Sequence, residues 1–314
     1  DAPLKAGGLN FALFDQVVPN PPIAIVDEGA RLYASERCDG VIGFGGGSSM
    51  DTAKSIGVVA ANGGSILNYE WADPQPIKKR LPPTICVPTT SGTGSEVTLW
   101  AVITDPKRKI KFNVGGTALI GAWLALIDPE LTLGLPPAVT AATGMDALAH
   151  AIECYTCAYA QPLPDATALL AMEYVAKHLR VAFAQGANVE ARYGMSMAAM
   201  LGALAYGTES AGAAHAMSQS AGGVHDVPHG ALTARVLGPV MEYNYLGEPH
   251  KFARIAQALG EDIRGLSVWD AAEKAVEAVY RLTEEVEIPT LQEMGFKEEE
   301  IPHLAEIAFN DPQT

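Results

Sequence analysis

Four side chains between residues 146 and 229 have the chemistry of a metal-binding set. Asp146 and His150 are four residues apart, so a helix would place the carboxylate and the imidazole on one face, one turn apart. His215 and His229 add two imidazoles from segments with few charges. One carboxylate and three imidazoles suit a borderline divalent cation such as Fe²⁺ or Zn²⁺. An Asp–His pair by itself is more often an ordinary helical hydrogen bond, so the metal hypothesis depends on the two additional histidines.

A glycine cluster in the first half of the sequence has the chemistry of a phosphate-binding turn. Residues 43–54 read GFGGGSSMDTAK, follow a predicted strand and open a predicted helix. Glycines allow positive φ angles and close approach of a pyrophosphate, and the free N–H groups at a helix start favour an anion. The pattern is neither GxGxxG nor GxxxxGK[ST], so a tight turn without a ligand is the alternative.

A second polar loop, residues 88–96, follows another predicted strand. It contains five hydroxyl side chains and two glycines, which suit hydrogen bonding to phosphate, ribose or a carboxamide. A surface turn rich in serine and threonine is the alternative. Both loops would lie at the carboxyl ends of strands of one sheet, where open α/β folds bind ligands. The pair is therefore stronger evidence for a cofactor site than either loop alone.

The remaining histidines and cysteines give weaker signals. His225 is interpreted either as a lining residue of the pocket or as a solvated loop residue, and His178, His250 and His303 are predicted to lie on the surface. Cys154 and Cys157 have the spacing of a redox motif, but two cysteines filling a helical core are the favoured interpretation.

Composition limits the kind of protein that must position these residues. The chain has 314 residues, of which 48% are hydrophobic and 31 are glycine, with a formal net charge of −15. This composition excludes a disordered chain and argues against nucleic acid or an anionic membrane as partner. Four cysteines are too few for a disulfide framework, and we find neither a long apolar run nor a signal peptide. We expect a soluble, cytoplasmic enzyme.

The first half of the chain alternates between short apolar runs and helical patterns, which predicts a largely parallel sheet. The predicted elements are strands at 23–26, 41–44, 84–87 and 124–127 and helices at 28–37 and 51–61. An additional strand is predicted at 99–104, for which antiparallel pairing is considered.

The second half of the chain shows mainly helical periodicity. Asp165 is a plausible N-cap, and Ser267 with Asp270 forms a capping-box start for a helix over 268–286. We therefore predict two domains, an α/β domain over residues 1–135 and an all-helical domain over residues 136–314.

Four of these segments, in this order, resemble the iron-containing (group III) alcohol dehydrogenases, and the resemblance runs over nearly the whole chain. The matching segments are residues 45–54, 88–96, 144–153 and 228–230. The resemblance implies an α/β dinucleotide-binding domain, an all-helical metal-binding domain and a cleft between them, as in the dehydroquinate synthase-like fold. Relative to the family pattern, the sequence starts after the first strand and helix and ends before the last helix.

The family resemblance also implies roles for individual residues. The expected metal ligands and catalytic centre are Asp146, His150, His215 and His229, and the expected cofactor-binding residues are Asp1, Gly45, Gly46, Gly47, Ser48, Asp51, Thr89, Thr90, Thr93 and Ser95. Asp1 would match the acidic residue that selects NAD over NADP. Gln219 stands where many relatives have a second histidine associated with proton relay.

The implied activity is interconversion of a small primary alcohol or diol and its aldehyde, with NAD (or NADP) and Fe²⁺ (or Zn²⁺). The alternatives are a polyol dehydrogenase of the same fold, a dehydroquinate synthase-like lyase and, least favoured, a non-catalytic binding protein. The expected partners are the small substrate and other copies of the chain, as a homodimer or larger homo-oligomer, without nucleic acid or membrane.

Overall fold

The computed structural model describes residues 2–71, 75–159, 161–206, 211–225 and 227–311. The elements of its first half are α1 (Ala2–Ala6), α2 (Ile23–Ser35), β1 (Val41–Gly45), α3 (Gly47–Asn62), β2 (Thr84–Pro88), β3 (Trp100–Asp105), β4 (Ile110–Gly115) and β5 (Leu124–Ala125). Two short 3-10 helices complete it, at Ile66–Tyr69 and Pro129–Thr132.

The predicted parallel sheet is confirmed. Its three strands lie in the order β1-β2-β5, and β1 pairs with β2 from Val41 opposite Thr84 to Gly45 opposite Pro88. β3 and β4 form a separate antiparallel hairpin, as predicted for the strand at 99–104. Because the parallel strands β1 and β2 end side by side, the glycine turn after β1 and the hydroxyl loop after β2 both leave the sheet at the carboxyl ends of its strands.

The prediction of a strand at 23–26 is wrong, because these residues form the first turn of α2. Pro22 is the N-cap with extended backbone (φ −78°, ψ 157°), and Val26, Gly29 and Ala30 are buried at helical spacing. A short apolar run does not distinguish a buried strand from a buried helical turn. The predicted helix at 28–37 is thus the later part of α2, α3 begins four residues earlier than predicted, and β5 is only two residues long.

From residue 137 onward the described residues form helices joined by loops, without a strand, in agreement with the predicted fold class. Its helices are α4 (Pro137–Thr156), α5 (Pro162–Ala184), α6 (Val189–Tyr206), α7 (Ala213–Val224), α8 (His229–Asn244), α9 (Pro249–Ala258), α10 (Val268–Glu285) and α11 (Ile301–Phe309), with a 3-10 turn at Glu298–Glu300. Within the described ranges, no helix is long and apolar enough to cross a membrane.

Two helix starts test the predicted caps. Ser267 caps α10 and accepts a hydrogen bond from the Asp270 backbone N–H at 3.2 Å, as predicted. Asp165 is not an N-cap, because α5 begins at Pro162 with Gln161 as its N-cap. Proline at the first position of a helix fixes φ at a helical value, which moves this start ahead of the acidic residue.

Helix α4 is the centre of the helical half. Pro137 starts it, and nearly every side chain from Thr140 to Tyr155 is buried against α5, α6 and α8. A helix buried on all sides must be apolar except where polar groups have partners or a ligand. Asp146, His150 and Glu153 are its buried carboxylate and imidazole side chains.

The loop after β2 packs directly on the helical half. A Cβ atom at Gly92 would lie 2.8 Å from the Thr143 carbonyl oxygen of α4, and one at Gly94 would lie 2.8 Å from the Ala199 carbonyl oxygen of α6. Gly94 also has a positive φ of 56°. Both positions therefore require glycine, and they bring the loop against α4 and α6. The division into domains at 135/136 stays a prediction.

Candidate active site

The four predicted metal ligands come from three helices that meet at one point. Asp146 and His150 lie one turn apart on α4, His215 lies in the first turn of α7, and His229 is the first residue of α8. A Cβ atom at Gly230 would lie 2.2 Å from the Ala142 carbonyl oxygen of α4. The glycine after His229 therefore lets the start of α8 approach α4 closely enough for the histidine to reach Asp146.

The structure brings all four predicted ligands together. Ligand atoms of Asp146, His150 and His215 lie within 4.8 Å of one another. The Nε2 atoms of His215 and of His229 each lie 3.7 Å from Asp146 Oδ1. The side chains of Asp146 and His215 are 3% and 7% exposed, whereas that of His229 is 30% exposed, so the cluster opens to solvent at His229.

The buried polar atoms of this cluster fit a cation. Asp146 Oδ1, His150 Nδ1 and His215 Nε2 are buried without a hydrogen-bond partner among the described residues. An unpaired buried polar atom costs about 1–3 kcal/mol, and each of these three residues offers one ligand atom to a cluster within 4.8 Å. A carboxylate oxygen facing imidazole nitrogens is a donor set for a divalent metal ion such as Fe²⁺ or Zn²⁺.

Burial and neighbouring charges shift the pKa values of the ionisable groups in this cluster. Burial opposes ionisation of Asp146, but His150, His215 and His229 outweigh burial and hold the pKa of this carboxyl below its usual range. Burial lowers the pKa of His150 to about 4. Burial acts the same way on His215, but the Glu153 and Asp146 carboxylates outweigh it and raise its pKa to about 10. Burial and the neighbouring carboxylates therefore shift the pKa values of two histidines of the same cluster in opposite directions.

Glu153 is a functional candidate to which sequence reasoning assigned no role. Its Oε2 hydrogen-bonds to His215 Nδ1, and its Oε1 accepts a hydrogen bond from the Ala214 backbone N–H at 2.6 Å. The signal that could have revealed it is helical spacing, because Glu153 follows Asp146 by seven residues and His150 by three. A carboxylate behind a ligand histidine orients the ring toward the metal.

His229 has a neutral partner behind it. Ser218 Oγ lies 3.4 Å from His229 Nδ1, and Thr233 Oγ1 donates to Ser218 Oγ at 2.9 Å. Ser218 and Thr233 are both fully buried. The two histidines closest to Asp146 are thus supported in different ways, one by a carboxylate and one by a weakly bound hydroxyl.

The predicted phosphate turn faces the hydroxyl loop at close range. Gly46 is the N-cap of α3, and no side chain caps this helix. A Cβ atom at Gly47 would lie 2.7 Å from Thr93 Cγ2, and the Thr89 backbone N–H donates to the Gly45 carbonyl oxygen at 2.9 Å. The start of α3 therefore presents backbone N–H groups in a cradle with no room for a side chain at residue 47, which fits an anion such as pyrophosphate.

Asp51 ties this cradle to the β3–β4 hairpin. Its carboxylate accepts hydrogen bonds from Ser95 Oγ at 2.5 Å and from the Val102 backbone N–H at 2.9 Å. The buried Lys54 Nζ lies 3.4 Å from Asp51 and donates to the carbonyl oxygen of Ser95 at 2.9 Å. Both carboxylate oxygens of Asp51 thus bond to protein groups. Asp1, the residue predicted to select NAD, lies outside the described residues.

One cleft is shared by the two predicted sites. Its α/β wall is formed by Gly47, Ser48, Asp51, Thr93 and Ser95, and its helical wall by Asp146, His150, His215 and His229. Trp100, Val102, Asn113, Tyr206 and Gln219 also line it. The predicted residues Gly45, Gly46, Thr89 and Thr90 belong to the two loops that carry the α/β wall. Gln219 Nε2 donates to the Lys111 carbonyl oxygen at 3.3 Å.

The other histidines and the cysteines lie outside this cleft. His225 is not among the residues that line the cleft, and its Nε2 is bonded to Glu300 Oε1 at 2.8 Å, so it is neither a pocket-lining residue nor an unpartnered loop residue. The prediction that His178 lies on the surface is wrong, since its ring is buried and stacks on Tyr174. His250 and His303 are exposed as predicted. None of the four cysteines forms a disulfide bond. Cys154 is buried as predicted for a helical core residue, whereas Cys157 is only partly buried and is the C-cap of α4.

Comparisons with known proteins agree with this geometry. The family model for iron-containing alcohol dehydrogenase matches residues 1–129, and that for the C-terminal part of the Fe-containing alcohol dehydrogenase family matches residues 140–314. The chain is 56% identical over 312 residues to choline dehydrogenase of Bacillus subtilis (strain 168), covering 99% of this chain and 77% of that protein. It is 41% identical over 309 residues to NAD-dependent methanol dehydrogenase of Bacillus methanolicus, covering 98% and 80%.

A solved structure extends the comparison to the fold. The crystal structure of 1,3-propanediol oxidoreductase superimposes with a TM-score of 0.95 at 40% sequence identity, covering 99% of this chain and 81% of that one. The two family models together span almost the whole chain and contain both walls of the cleft. The chain therefore belongs to the iron-containing alcohol dehydrogenase family and is an oxidoreductase that acts on alcohols.

Proposed function

We propose that this enzyme interconverts a small, polar primary alcohol and its aldehyde, with NAD as hydride carrier and Fe²⁺ as resident metal. The observation that carries the proposal is the buried cluster of ligand atoms on Asp146, His150 and His215, which lines the same cleft as Gly47 and Thr93. A cation bound on the helical wall would polarise the alcohol oxygen as a Lewis acid, while NAD would take the hydride from the carbinol carbon.

The residues of the helical wall would hold the cation and leave one side open. Asp146 would supply the negative charge, and His150, His215 and His229 would supply nitrogen ligands. His229 is the most exposed of the four, which supports access of the alcohol from its side. Gln219 has no titratable group, so we propose that the proton of the alcohol does not pass through residue 219.

The α/β wall would hold the dinucleotide. We propose that Gly45, Gly46, Gly47 and Ser48 surround the pyrophosphate at the start of α3, where a phosphate benefits from backbone N–H groups and the helix dipole. Thr89, Thr90, Thr93 and Ser95 would contact phosphate, ribose or nicotinamide. Asp51 would act indirectly, because its oxygens already hold Ser95 and the Val102 backbone N–H in place. The name of the methanol dehydrogenase relative supports NAD over NADP.

The cleft favours a short substrate with a second polar group. Apolar surface comes from Val102 and Trp100, while Asn113 and Gln219 add carboxamides beside the predicted metal site. A diol would place its second hydroxyl against such amides. The similarity to 1,3-propanediol oxidoreductase supports this choice.

A quaternary ammonium alcohol is the second candidate substrate. The rings of Trp100 and Tyr206 line the same cleft, and aromatic faces attract such cations by about 0.5–2 kcal/mol each. The relative at 56% identity is named choline dehydrogenase. Tyr206 also lies beside the helical wall, with its ring 5.3 Å from that of His150.

The test combines metal analysis with turnover. The purified protein, reconstituted separately with Fe²⁺ and Zn²⁺, is assayed by NADH absorbance with ethanol, 1,3-propanediol and choline. We expect one bound metal ion per chain and NAD-dependent oxidation of at least one of the two polar alcohols in preference to ethanol. Turnover by the metal-free protein, or no binding of NADH, would contradict the proposal.

Location, assembly and domain division are part of the same proposal. We propose a cytoplasmic homodimer or larger homo-oligomer, with an α/β domain up to residue 135 and a helical domain from residue 136. Four cysteines without a disulfide bond support a reducing compartment. Light scattering of the purified protein measures the assembly, and a monomeric mass at micromolar concentration would contradict it.

A further inference from the structure

We propose that Glu153 is a positioning residue that determines which nitrogen of His215 is available to a cation, and that it does so from a carboxylate anchored on the start of α7. The inference rests on the proposed metal-binding function. It concerns a residue behind the ligands, which touches neither substrate nor cofactor.

The first observation is that Glu153 replaces a missing helix cap. The N-cap of α7 is Gly212, which has no side chain to accept the first N–H groups of the helix. Glu153 Oε1, from α4, accepts the Ala214 backbone N–H at 2.6 Å instead. A Cβ atom at Gly212 would lie 2.7 Å from that same oxygen. Glycine at 212 is thus the condition for the carboxylate of a neighbouring helix to reach this position.

The second observation is that the other carboxylate oxygen fixes the proton on His215. Glu153 Oε2 is bonded to His215 Nδ1 in a site where both residues are buried. Because both carboxylate oxygens of Glu153 serve as acceptors, one for the Ala214 N–H and one for His215, Nδ1 is the donor of this pair. The nitrogen left for a cation is Nε2, which is buried, has no hydrogen-bond partner in the described part of the chain and lies 3.7 Å from Asp146 Oδ1.

Replacing Glu153 by Gln therefore has a specific consequence. The Ala214 N–H needs an acceptor, so the amide oxygen takes that position and the NH₂ group faces His215 Nδ1. Two donors cannot face each other, so Nδ1 becomes the acceptor and the proton of the neutral ring moves to Nε2. E153Q preserves size and shape but blocks the nitrogen that faces Asp146.

The experiment measures metal affinity rather than turnover. Zn²⁺ is titrated against a chromophoric chelator into the wild-type protein and the variants E153Q, G212A and S220A. Ser220 is the matched control, because it is a buried residue of α7 whose hydroxyl donates within the helix, to the Ala216 carbonyl oxygen at 2.8 Å. Circular dichroism at each titration temperature checks that every variant is folded.

We expect E153Q to lower Zn²⁺ affinity by about 100-fold and G212A by about 10-fold, as for other outer partners of metal-bound histidines. S220A should remain within about twofold of wild type. In the zinc-loaded protein labelled with ¹⁵N-histidine, the wild type should show a protonated Nδ1 resonance that E153Q lacks. If E153Q does not fold, the Zn²⁺ affinity of G212A and the His215 Nδ1 resonance of G212A test the role of Glu153 instead.

The outcomes separate this inference from the proposed function. Wild-type affinity in E153Q, with the Nδ1 proton retained, overturns the role of Glu153 while leaving the metal site intact. An equal loss in S220A also overturns it, because the effect would then belong to the stability of α7. No Zn²⁺ binding by the wild type overturns the proposed metal site itself, and this inference with it.

Discussion

The helical wall presents side-chain atoms on helices, whereas the α/β wall presents backbone groups on loops. On the helical wall, Asp146, His150 and His215 place buried charged and polar atoms toward one point, held by helix positions and by Glu153. On the α/β wall, Gly47 has room for no side chain at all, and Asp51 holds the loop from the side. Substitutions that remove side-chain atoms should therefore impair binding on the helical wall most, whereas substitutions that add side-chain atoms should impair binding on the α/β wall.

The largest expected effect follows removal of a buried ligand from the helical wall. His215→Ala deletes the imidazole between Asp146 and Glu153, and a metal ion contributes several kcal/mol to alcohol activation. We expect loss of the bound metal and a fall in kcat/KM of at least about a thousandfold. Metal analysis and NADH-absorbance assays measure both.

The control for this variant is a histidine outside the cleft. His225→Ala removes an imidazole that pairs with Glu300, and it should leave the metal content unchanged. His229→Ala should also lose metal and activity together, with a smaller loss of affinity than His215→Ala, since His229 is more exposed and has only a hydroxyl behind it. Full activity and one metal ion per chain in His215→Ala would contradict a role of the helical wall in metal binding and catalysis.

The second-largest expected effect is a loss of stability when the carboxylate of Asp51, which holds the α/β wall in place, is replaced. Asp51→Asn removes the carboxylate that faces the fully buried Lys54 at 3.4 Å and accepts from Ser95. Taking one partner from a buried ion pair costs about 3–5 kcal/mol, and we expect the lower end because Lys54 keeps the Ser95 carbonyl oxygen as acceptor. Urea unfolding of the metal-free protein measures the loss.

Asp27→Asn is the matched control for Asp51. Asp27 accepts from Ser65 Oγ at 2.7 Å and from the Ile66 backbone N–H at 3.0 Å, the same pattern as Asp51, but without a buried lysine among its described partners. Its loss should be about 1 kcal/mol. Equal destabilisation by the two variants would show that the hydrogen bonds, and not the Lys54 charge, make Asp51 important.

The two walls also differ in how much the sequence predicts. Asp146 and His150 were predictable because helical periodicity alone places them on one face, and the family order of motifs added His215 and His229. The glycine and hydroxyl loops were predictable as loops after strands. Their contacts were not, because the approach of Gly47 to Thr93 depends on strand pairing between distant segments.

The failures have the same physical origin. Residues 23–26 look like a buried strand because four apolar residues satisfy either period, and only packing of Gly29 on Ile56 of α3 favours the helix. His178 has a charged neighbour in sequence but is buried by Tyr174 and Gly194. Glu153 carried the correct spacing, yet its role depends on α7, which begins 60 residues later along the chain (Glu153 to Ala213).

A third effect tests whether the α/β wall is sensitive to added atoms. Gly47→Ala places a methyl group 2.7 Å from Thr93 Cγ2, and overpacking of this kind costs about 1–3 kcal/mol. We expect NADH to bind about 10-fold more weakly, measured by fluorescence titration, while the metal content stays at the wild-type level. The double variant Gly47→Ala/Thr93→Ala removes the clashing methyl and should recover part of the affinity. Loss of metal in Gly47→Ala would mean that the walls are not independent.

The smallest effect concerns the hairpin that carries Asn113 and Trp100 into the cleft. Asp105 closes the turn between β3 and β4, where it accepts from the Lys107 backbone N–H at 2.9 Å and from Arg108 Nε at 2.6 Å. The Arg108 side chain is 43% exposed, so the ion pair should contribute less than about 1 kcal/mol. Asp105→Asn should thus lower stability slightly at neutral pH and leave metal and NADH binding unchanged.

The lowered pKa of Asp105 determines how its contribution to stability changes with pH. The hydrogen bond from Arg108 holds the pKa of Asp105 below its ordinary value of about 3.9, so the folded state binds this proton less readily than the unfolded state. The stabilisation is therefore complete above about pH 4 and disappears as the pH falls through the folded-state pKa. Urea midpoints of wild type and Asp105→Asn should differ at pH 7 and converge toward pH 3. A difference that persists at pH 3 would mean that the turn depends on the shape of residue 105 and not on its charge.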